Sequence, residues 1–296
     1  MNKWLRRLGA LALGCFAYGV LIENRAFKLR RVNVPVLPAG SPDLRVLHIS
    51  DLHLLRTDKS RLKFISTLAG LEPDLVVSTG DNLAEPEAVE SLREALGRLL
   101  QIPGVFVFGS SDYEFPRYRN PLSYLLKTSS RDLNAAQMPT ERLEQMLASG
   151  GWQNLTGQRM TLEVNGLPLE FRGVDDAHLA LDDYRLVAGH ADKQAAVSIG
   201  VTHAPYERVL NAMARDRVKL VFAGHTHGGQ VCVPLYGALT TNCDLNPKYA
   251  KGLSRLRGGR HSYYLHVSAG LGTSPFAPFR FCCPPEATIL TLTARK

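Results

Sequence analysis

Residues 221–230 of this chain read Val221-Phe222-Ala223-Gly224-His225-Thr226-His227-Gly228-Gly229-Gln230. The apolar run at 220–223 predicts a buried strand that stops at the first glycine. Two histidines spaced i, i+2 follow the strand at once. A lone histidine at this place most often caps a strand. A pair among glycines instead indicates metal ligands, because both side chains can converge on neighbouring ions in a tight loop.

Four earlier strands also end in polar residues. We predict strands at residues 44–50, 74–79, 105–108 and 195–201, and helical spacing of apolar residues follows the first two at 59–71 and 85–100. This alternation predicts an α/β fold, in which ligand sites form beyond the carboxyl ends of the strands. Those ends supply Asp51, His53, Asp81 and His203, and the motif at 221–230 adds His225 and His227.

Two carboxylates and four imidazoles would therefore meet at one edge of the sheet. This mixture of oxygen and nitrogen ligands suits manganese, iron or zinc better than calcium. Six ligands exceed the need of one tetrahedral ion and indicate two divalent ions. Two ions roughly 3.5–4 Å apart, bridged by one carboxylate, can stabilise both the attacking and the leaving oxygen of a phosphoryl displacement.

The composition is that of an ordinary globular protein, with 45% hydrophobic and 21% charged residues among 296. The net charge of +8 invites a nucleic-acid or an anionic-membrane partner. Part of that charge lies near the N-terminus, where a membrane anchor would carry it. No run of basic residues interleaved with aromatic ones occurs elsewhere, so we expect no nucleic-acid partner. The oligomeric state is left open.

The N-terminal part of the chain predicts a membrane anchor. Residues 8–22 contain no charged side chain and follow a basic start, so a cleaved signal peptide is the alternative. No small-x-small cleavage site precedes Glu23, which favours an uncleaved anchor. We predict an anchor at 1–24, an extended linker at 25–43 and one domain at 44–296. Basic residues flank both ends of the apolar stretch, so they do not fix its orientation.

Five cysteines lack the C-x-x-C spacing of a structural zinc site. Cys282 and Cys283 are adjacent and cannot bond to each other without distorting the backbone. A bridge from Cys243 to either of them would suit an outward-facing domain, and buried free thiols are the alternative.

Further local signals concern single segments. Asn165-Gly166 predicts a β-hairpin, and residues 120–139, which are polar and interrupted by prolines, predict a mobile loop. Residues 230–239, 262–268 and 287–292 predict a further antiparallel set of strands. We expect His48 in the core and His178 at the surface.

The strand-end blocks resemble the signature of the calcineurin-like metallophosphoesterases, and the resemblance covers residues 44–292. The last block and the apolar N-terminus resemble a membrane-associated bacterial branch, in which some enzymes cleave the pyrophosphate of UDP-diacylglucosamine. The resemblance implies a four-layer αββα sandwich of two mixed sheets. The blocks that carry it are Asp51-Leu52-His53, Gly80-Asp81-Asn82, His203 and Gly224-His225-Thr226-His227.

The resemblance also implies an activity. It is that of a membrane-tethered enzyme that hydrolyses a phosphodiester or pyrophosphate, lipid-linked or nucleotide-linked, with a hydroxide between two divalent metal ions. An outward-facing domain is implied as well. The implied ligands are Asp51, His53 and His227 for one ion, His203 and His225 for the other, and Asp81 between them.

The block at residues 109–112 departs from the family pattern. Ser110 stands where an asparagine normally binds the second metal, and Ser111 where a histidine normally steadies the phosphate or protonates the leaving group. A serine hydroxyl is a weaker ligand and is no general acid near neutral pH. The predicted catalytic residues are Asp81, Asn82, Ser111 and Asp112, although Asn82 could simply cap a turn. The alternative function is a catalytically weak metal-binding protein that senses or binds a phosphorylated lipid.

Overall fold

The computed structural model describes residues 3–118 and 136–295. A first mixed sheet has the strand order β1-β14-β2-β3-β4-β5. All neighbours run parallel except β14 and β2, which are antiparallel. Its strands are β1 (Lys28–Leu37), β2 (Leu44–Ile49), β3 (Leu75–Ser78), β4 (Gly104–Phe106), β5 (Gln153–Asn154) and β14 (Glu286–Ala294).

A second mixed sheet has the order β12-β13-β9-β8-β7-β6. Here β12–β13 and β6–β7 are antiparallel pairs, and the other neighbours are parallel. Its strands are β6 (Arg159–Val164), β7 (Leu167–Gly173), β8 (Val197–Val201), β9 (Leu220–Ala223), β12 (Gly252–Gly258) and β13 (His261–Val267). A small hairpin, β10 (Cys232–Val233) with β11 (Gly237–Ala238), stands apart from both sheets.

Helices cover the outer face of each sheet. Five of them belong to the domain, and α1 precedes it. The first sheet packs against α2, α3 and α5, and the second against α6. The helices are α1 (Lys3–Leu21), α2 (Lys59–Thr67), α3 (Ala88–Leu96), α4 (Ser110–Tyr113), α5 (Thr140–Ser149) and α6 (Glu207–Arg215).

Side-chain alternation along the strands builds the layers. In β2, Leu44 and Val46 belong to the apolar cluster between the sheets, whereas Leu47 and Ile49 belong to the cluster under the helices. In β9, Phe222 faces the same inter-sheet cluster and Val221 faces α6. Because successive strand residues point to opposite faces, strands buried on both sides read as continuous apolar runs. The predicted αββα sandwich of two mixed sheets is confirmed.

Three local predictions have clear outcomes. Asn165 and Gly166 both have positive φ, and they close the predicted hairpin between β6 and β7. Strand β1 lies inside the predicted linker at 25–43 and pairs with β14 over nine residue pairs, so much of this stretch belongs to the first sheet. The predicted antiparallel set is wrong, since β13 and β14 lie in different sheets. Most of the predicted mobile loop, residues 120–135, lies outside the described residues.

The N-terminal helix α1 is exposed along most of its length. The stretch Lys3–Arg25 is long and apolar enough to cross a membrane, with a mean hydropathy of 1.5. Its C-terminal end touches the domain: the Phe16 ring stacks on Phe279 with ring centroids 5.3 Å apart, and Gly19 packs on Phe279 and Arg280. Glu23 then accepts hydrogen bonds from the backbone N–H groups of residues 282 and 283.

Candidate metal centre

The six predicted metal ligands lie on the loops that follow β2, β3, β8 and β9. Five of the six adopt the left-handed backbone region, with φ between 39° and 68°. Non-glycine residues rarely adopt this conformation, and it concentrates at functional sites because surrounding structure must hold it. The five residues are Asp51, His53, Asp81, His225 and His227.

The loops approach each other closely enough to exclude a side chain at Gly224. A Cβ there would lie 2.5 Å from Asp51 Oδ2 and would also clash with Ser50 Oγ. The backbone N–H of His225 instead donates to both carboxylate oxygens of Asp51, at 3.0 and 3.1 Å. Gly224, the glycine before the first histidine of the motif, therefore allows the loop after β9 to approach the loop after β2 in the other sheet.

Asp51, His53 and His227 form the first ligand group, with ligand atoms within 4.8 Å of one another. The two Nε2 atoms of the histidines lie 3.3 Å apart, and His227 Nε2 lies 3.6 Å from Asp51 Oδ1. Burial lowers the pKa of His53 to about 4 and that of His227 well below its ordinary value. Both rings are therefore neutral near pH 7, which is the form that binds a metal ion.

Asp81 belongs to a second group, together with Asp51 and His203, and this group shares Asp51 with the first. The Oδ2 atom of Asp81 is 3.3 Å from His53 Nε2 and 3.4 Å from His203 Nε2. Burial alone would raise the pKa of Asp81, but His203 and His53 hold it well below its ordinary value. One ionised carboxylate oxygen thus faces imidazoles of both sheets, as a bridging ligand requires.

His203 is oriented by the protein so that one nitrogen stays available. Its Nδ1 lies 2.7 Å from the carbonyl oxygen of Thr79 and donates to it, whereas its buried Nε2 makes no hydrogen bond. A buried polar atom without a partner is costly unless something else satisfies it. A backbone carbonyl that fixes the tautomer of a metal-binding histidine is a common arrangement, and the donor set fits a divalent ion.

His225 lies next to His203, with ring centroids 5.2 Å apart. Its Nε2 lies 3.1 Å from the carbonyl oxygen of Asn242, so its Nδ1 is the nitrogen left for a metal. Burial lowers the pKa of His225 well below the ordinary value, helped by His178 and His203.

The departing block at 109–112 comprises the N-cap residue Gly109 and the first three residues of α4, and it contacts Asp81. The backbone N–H of Ser111 donates to Asp81 Oδ1 at 2.8 Å. Asp112 is fully buried and accepts from the N–H groups of Asn82, Leu83 and Gly109 and from the Asn82 amide. The polar atoms of Asn82 and Asp112 therefore hold the loops together, and the catalytic roles predicted for these two residues stay predictions.

The pattern of the Calcineurin-like phosphoesterase family matches residues 44–229. This chain belongs to that family. It is 25% identical to the metallophosphoesterase YkuE of Bacillus subtilis (strain 168) over 99% of both chains. It is 28% identical to the UDP-2,3-diacylglucosamine pyrophosphatase LpxG of Chlamydia trachomatis, over 91% of this chain and 90% of LpxG. It is also 28% identical to a transmembrane protein with metallophosphoesterase domain of Bos taurus, over 93% of this chain and 59% of that protein.

A chain of buried hydrogen bonds in this protein runs from the inter-sheet core to Asp51. His48 and His266 contact each other through their Nδ1 atoms at 2.8 Å, and His48 Nε2 lies 3.0 Å from Thr79 Oγ1. Thr79 donates to Ser50, and Ser50 donates to Asp51 Oδ2 at 2.5 Å. The core position predicted for His48 is confirmed. No local sequence pattern predicts that His266 is its partner.

Arg280 is a buried residue that the sequence reasoning missed. Its guanidinium donates to the carbonyl oxygens of Ala269 and Gly272 at 2.8 and 2.7 Å, and at 3.1 Å to that of Cys283. The Gly272 carbonyl also lies 3.1 Å from His227 Nδ1, so the arginine indirectly fixes the ring of a ligand. A single arginine after a phenylalanine carries no motif that would have revealed this role.

Two further side-chain predictions are corrected or decided. His178 was expected at the surface, but it is buried with its ring centroid 4.4 Å from that of His225 and its Nδ1 3.1 Å from the Tyr206 hydroxyl. All five cysteines are free. Cys243 packs under α6, whereas Cys283 packs with Cys232, so the bridge to Cys243 is not formed.

Proposed function

We propose that this chain is a divalent-metal-dependent phosphoesterase, tethered to a membrane, that hydrolyses a phosphodiester or pyrophosphate bond of a lipid-linked substrate. The observation that carries the proposal is the position of Asp81 Oδ2, 3.3–3.4 Å from imidazole nitrogens of two different loops. A carboxylate oxygen between two buried, mutually close ligand groups fits two ions better than one.

The residues would hold the two ions unequally. Asp51, His53 and His227 would bind the first, His203 and His225 the second, and Asp81 both. Two divalent ions here would supply Lewis acidity toward a phosphoryl oxygen and toward the attacking water. Nitrogen and carboxylate donors favour manganese, iron or zinc. The protein's own part is to keep the imidazoles of His53, His225 and His227 neutral through burial and to keep Asp81 ionised.

Proton transfer to the leaving group is the step for which the block at 109–112 offers least. Ser111 contributes its backbone N–H to Asp81, and its hydroxyl is no acid near neutral pH. Cleavage should therefore depend on leaving groups that depart without a proton. The same observation favours the second candidate function, a weak enzyme whose main role is to bind a phosphorylated lipid.

Turnover of bis-p-nitrophenyl phosphate distinguishes the two candidates. The full chain, purified in detergent and supplied with Mn²⁺, is expected to release p-nitrophenol catalytically, and Asp81→Ala is expected to abolish the release. Stoichiometric metal binding without turnover would favour the binding protein. A wild-type chain that binds no metal would contradict both.

The membrane tether is supported by the exposed apolar helix α1 and by the Bos taurus relative. We expect the full chain to remain in the membrane fraction after a wash with 1 M salt. At this concentration the Debye length is roughly 3 Å, so the wash releases only proteins that are held by electrostatic attraction. Release by salt would show that basic residues hold it instead.

The lipid-linked substrate class is supported by the 28% identity to LpxG, a pyrophosphatase of UDP-2,3-diacylglucosamine. An outward-facing domain is tested at Cys282, which is exposed. A membrane-impermeant maleimide should label wild-type chain in intact cells, and Cys282→Ser should not be labelled. Labelling only after lysis would place the domain inside.

A further inference from the structure

In the two-metal site proposed above, on which this inference rests, the second metal ion has one protein ligand fewer than the first. Ser110 replaces the asparagine that the family pattern places there. The loop after β7 brings other polar side chains to the same place. Tyr113, at the end of α4, donates to Asp175 Oδ1 at 2.7 Å, and the His178 ring contacts the His225 ring. This loop therefore joins the departing block on one side to a ligand of the second metal on the other.

Asp176 lies in the middle of that loop and is fully buried. Its Oδ1 accepts from the backbone N–H of His178 at 2.9 Å, whereas its Oδ2 has no hydrogen-bond partner. Burial raises the pKa of Asp176 to about 7, while nearby His203 lowers it and nearby Asp81 raises it. An unpaired carboxylate oxygen that is fully buried is unfavourable unless a cation accompanies it, and the same loop carries His178 against the ring of His225.

We propose that Asp176 supplies the second metal ion with the oxygen ligand that Ser110 cannot supply. A carboxylate is a stronger ligand than an amide for the same ions, so the loop after β7 compensates for the lost asparagine. The second site would then contain Asp81, Asp176, His203 and His225. The family role of the block at 109–112 is thereby divided between two loops.

Metal content tests this proposal without relying on activity. Wild type, Asp176→Asn and Asp176→Ala are dialysed as full chains in detergent against Mn²⁺ and analysed by inductively coupled plasma mass spectrometry. Wild type should bind close to two ions. Both variants should bind close to one at the same Mn²⁺ concentration, with second-site affinity reduced at least about tenfold.

Asp175→Asn is the matched control, because it changes the neighbouring carboxylate and leaves Asp176 intact. It should retain two ions. Ser110→Asn in the Asp176→Ala background should restore the second ion by returning the amide ligand. Asp176 variants that bind two ions with wild-type affinity would overturn this inference alone. Failure of the wild type to bind two ions would overturn the two-metal site itself.

A second observation, independent of the metals, concerns the β10–β11 hairpin. Its turn is strongly apolar and open to solvent: Leu235 is fully exposed and Tyr236 is 77% exposed. Val233 and Leu239 extend the exposed apolar surface. Contiguous apolar surface of this kind marks an interaction site.

The hairpin is attached to the part of the domain that contacts α1. The backbone N–H of Cys232 donates to the Phe281 carbonyl at 2.8 Å, and the Tyr18 ring of α1 meets the Phe281 ring edge-on. The hairpin also borders the metal centre, because Gly229, two residues after His227, packs directly on Ala238. The membrane helix, the hairpin and the site loop are thus neighbours.

We infer that the hairpin turn inserts into the lipid surface that α1 enters, so that the metal centre lies beside the bilayer. The inference rests on the proposed tether. The occupant is lipid because the exposed apolar turn belongs to a hairpin that is joined through Phe281 to α1, the only helix of the described residues that could cross a membrane. Aromatic and aliphatic side chains such as Tyr236 and Leu235 suit the interface.

Tryptophan quenching by brominated phosphatidylcholine tests the contact. Leu235→Trp and the control Leu186→Trp are each made in a Trp4→Phe background and placed in vesicles; Trp152, the remaining tryptophan, is buried in the domain core. Leu186 is likewise exposed, but lies in the outer layer of the second sheet. Leu235→Trp should be quenched and Leu186→Trp should not. Equal quenching in chains that float with vesicles would overturn the insertion, whereas chains that fail to float would overturn the tether.

Discussion

Replacing Arg280 with methionine should destabilise the domain strongly, because this side chain is fully buried and donates to several backbone carbonyl groups. Three of the acceptors, the carbonyl oxygens of Ala269, Gly272 and Cys283, lie within 3.1 Å. In Arg280→Met the carbonyl groups of Ala269 and Cys283 would lose their arginine donor, whereas that of Gly272 would keep His227 Nδ1 at 3.1 Å. A buried acceptor without a partner costs about 1–3 kcal/mol. Methionine avoids the cost of burying a charge, so we expect a net loss of about 3–5 kcal/mol.

Urea unfolding of the full chain in detergent, with metals removed by a chelator, measures this loss. For a slope of about 3 kcal/mol per M, the midpoint should fall by about 1–2 M. Arg255→Met, on the exposed side of β12, is the control and should change stability by less than about 0.5 kcal/mol. An Arg280→Met midpoint equal to that of wild type would refute the assigned role. Because the Gly272 carbonyl also holds His227, Mn²⁺ affinity should fall about 10–100-fold as well.

Two other changes test the core and the departing block. Burial lowers the pKa of His266 to about 3, so between about pH 6.5 and 3 the unfolded chain binds a proton that the native chain does not. Stability should therefore fall with falling pH by about 1.4 kcal/mol per unit for this group, and His266→Gln should remove that part of the slope in metal-free unfolding curves. An unchanged slope would exclude the neutral buried state. Ser110→Asn with Ser111→His should raise turnover of an alkyl phosphodiester at least about tenfold, since a general acid contributes about 10²–10⁴. Slower turnover would show that the serines form a working site.

The ligand set was accessible from the sequence because local rules and the fold agree there. Each apolar strand stops at glycine or at polar residues, and parallel strands bring their carboxyl ends to one edge. The positions of residues such as Asp81 and His227, directly after apolar strands, therefore predict that they are metal ligands. The same alternation predicted an α/β fold, whereas the four-layer sandwich was implied by the resemblance to the family.

What the sequence could not provide depends on contacts between distant segments. Strand β1 reads as a linker because four of its ten side chains are polar or basic, and only its pairing with β14 makes it a sheet edge. Arg280 and Asp176 have no motif, and their roles follow from burial among loops that are far apart in sequence. His266 has apolar and polar neighbours alike, and only the packing of the two sheets brings it to His48.

The number of ions bound by Asp81→Ala tests the central claim most directly, because Asp81 Oδ2 lies 3.3 and 3.4 Å from imidazole nitrogens of the two proposed metal positions. Wild type, Asp81→Ala and Asp112→Asn are equilibrated with the same Mn²⁺ concentration, and the ions per chain are counted by mass spectrometry. We predict close to two ions for wild type and for Asp112→Asn, and a larger loss for Asp81→Ala than for any other single ligand change. Two ions bound to Asp81→Ala with wild-type affinity would contradict a bridged two-metal centre.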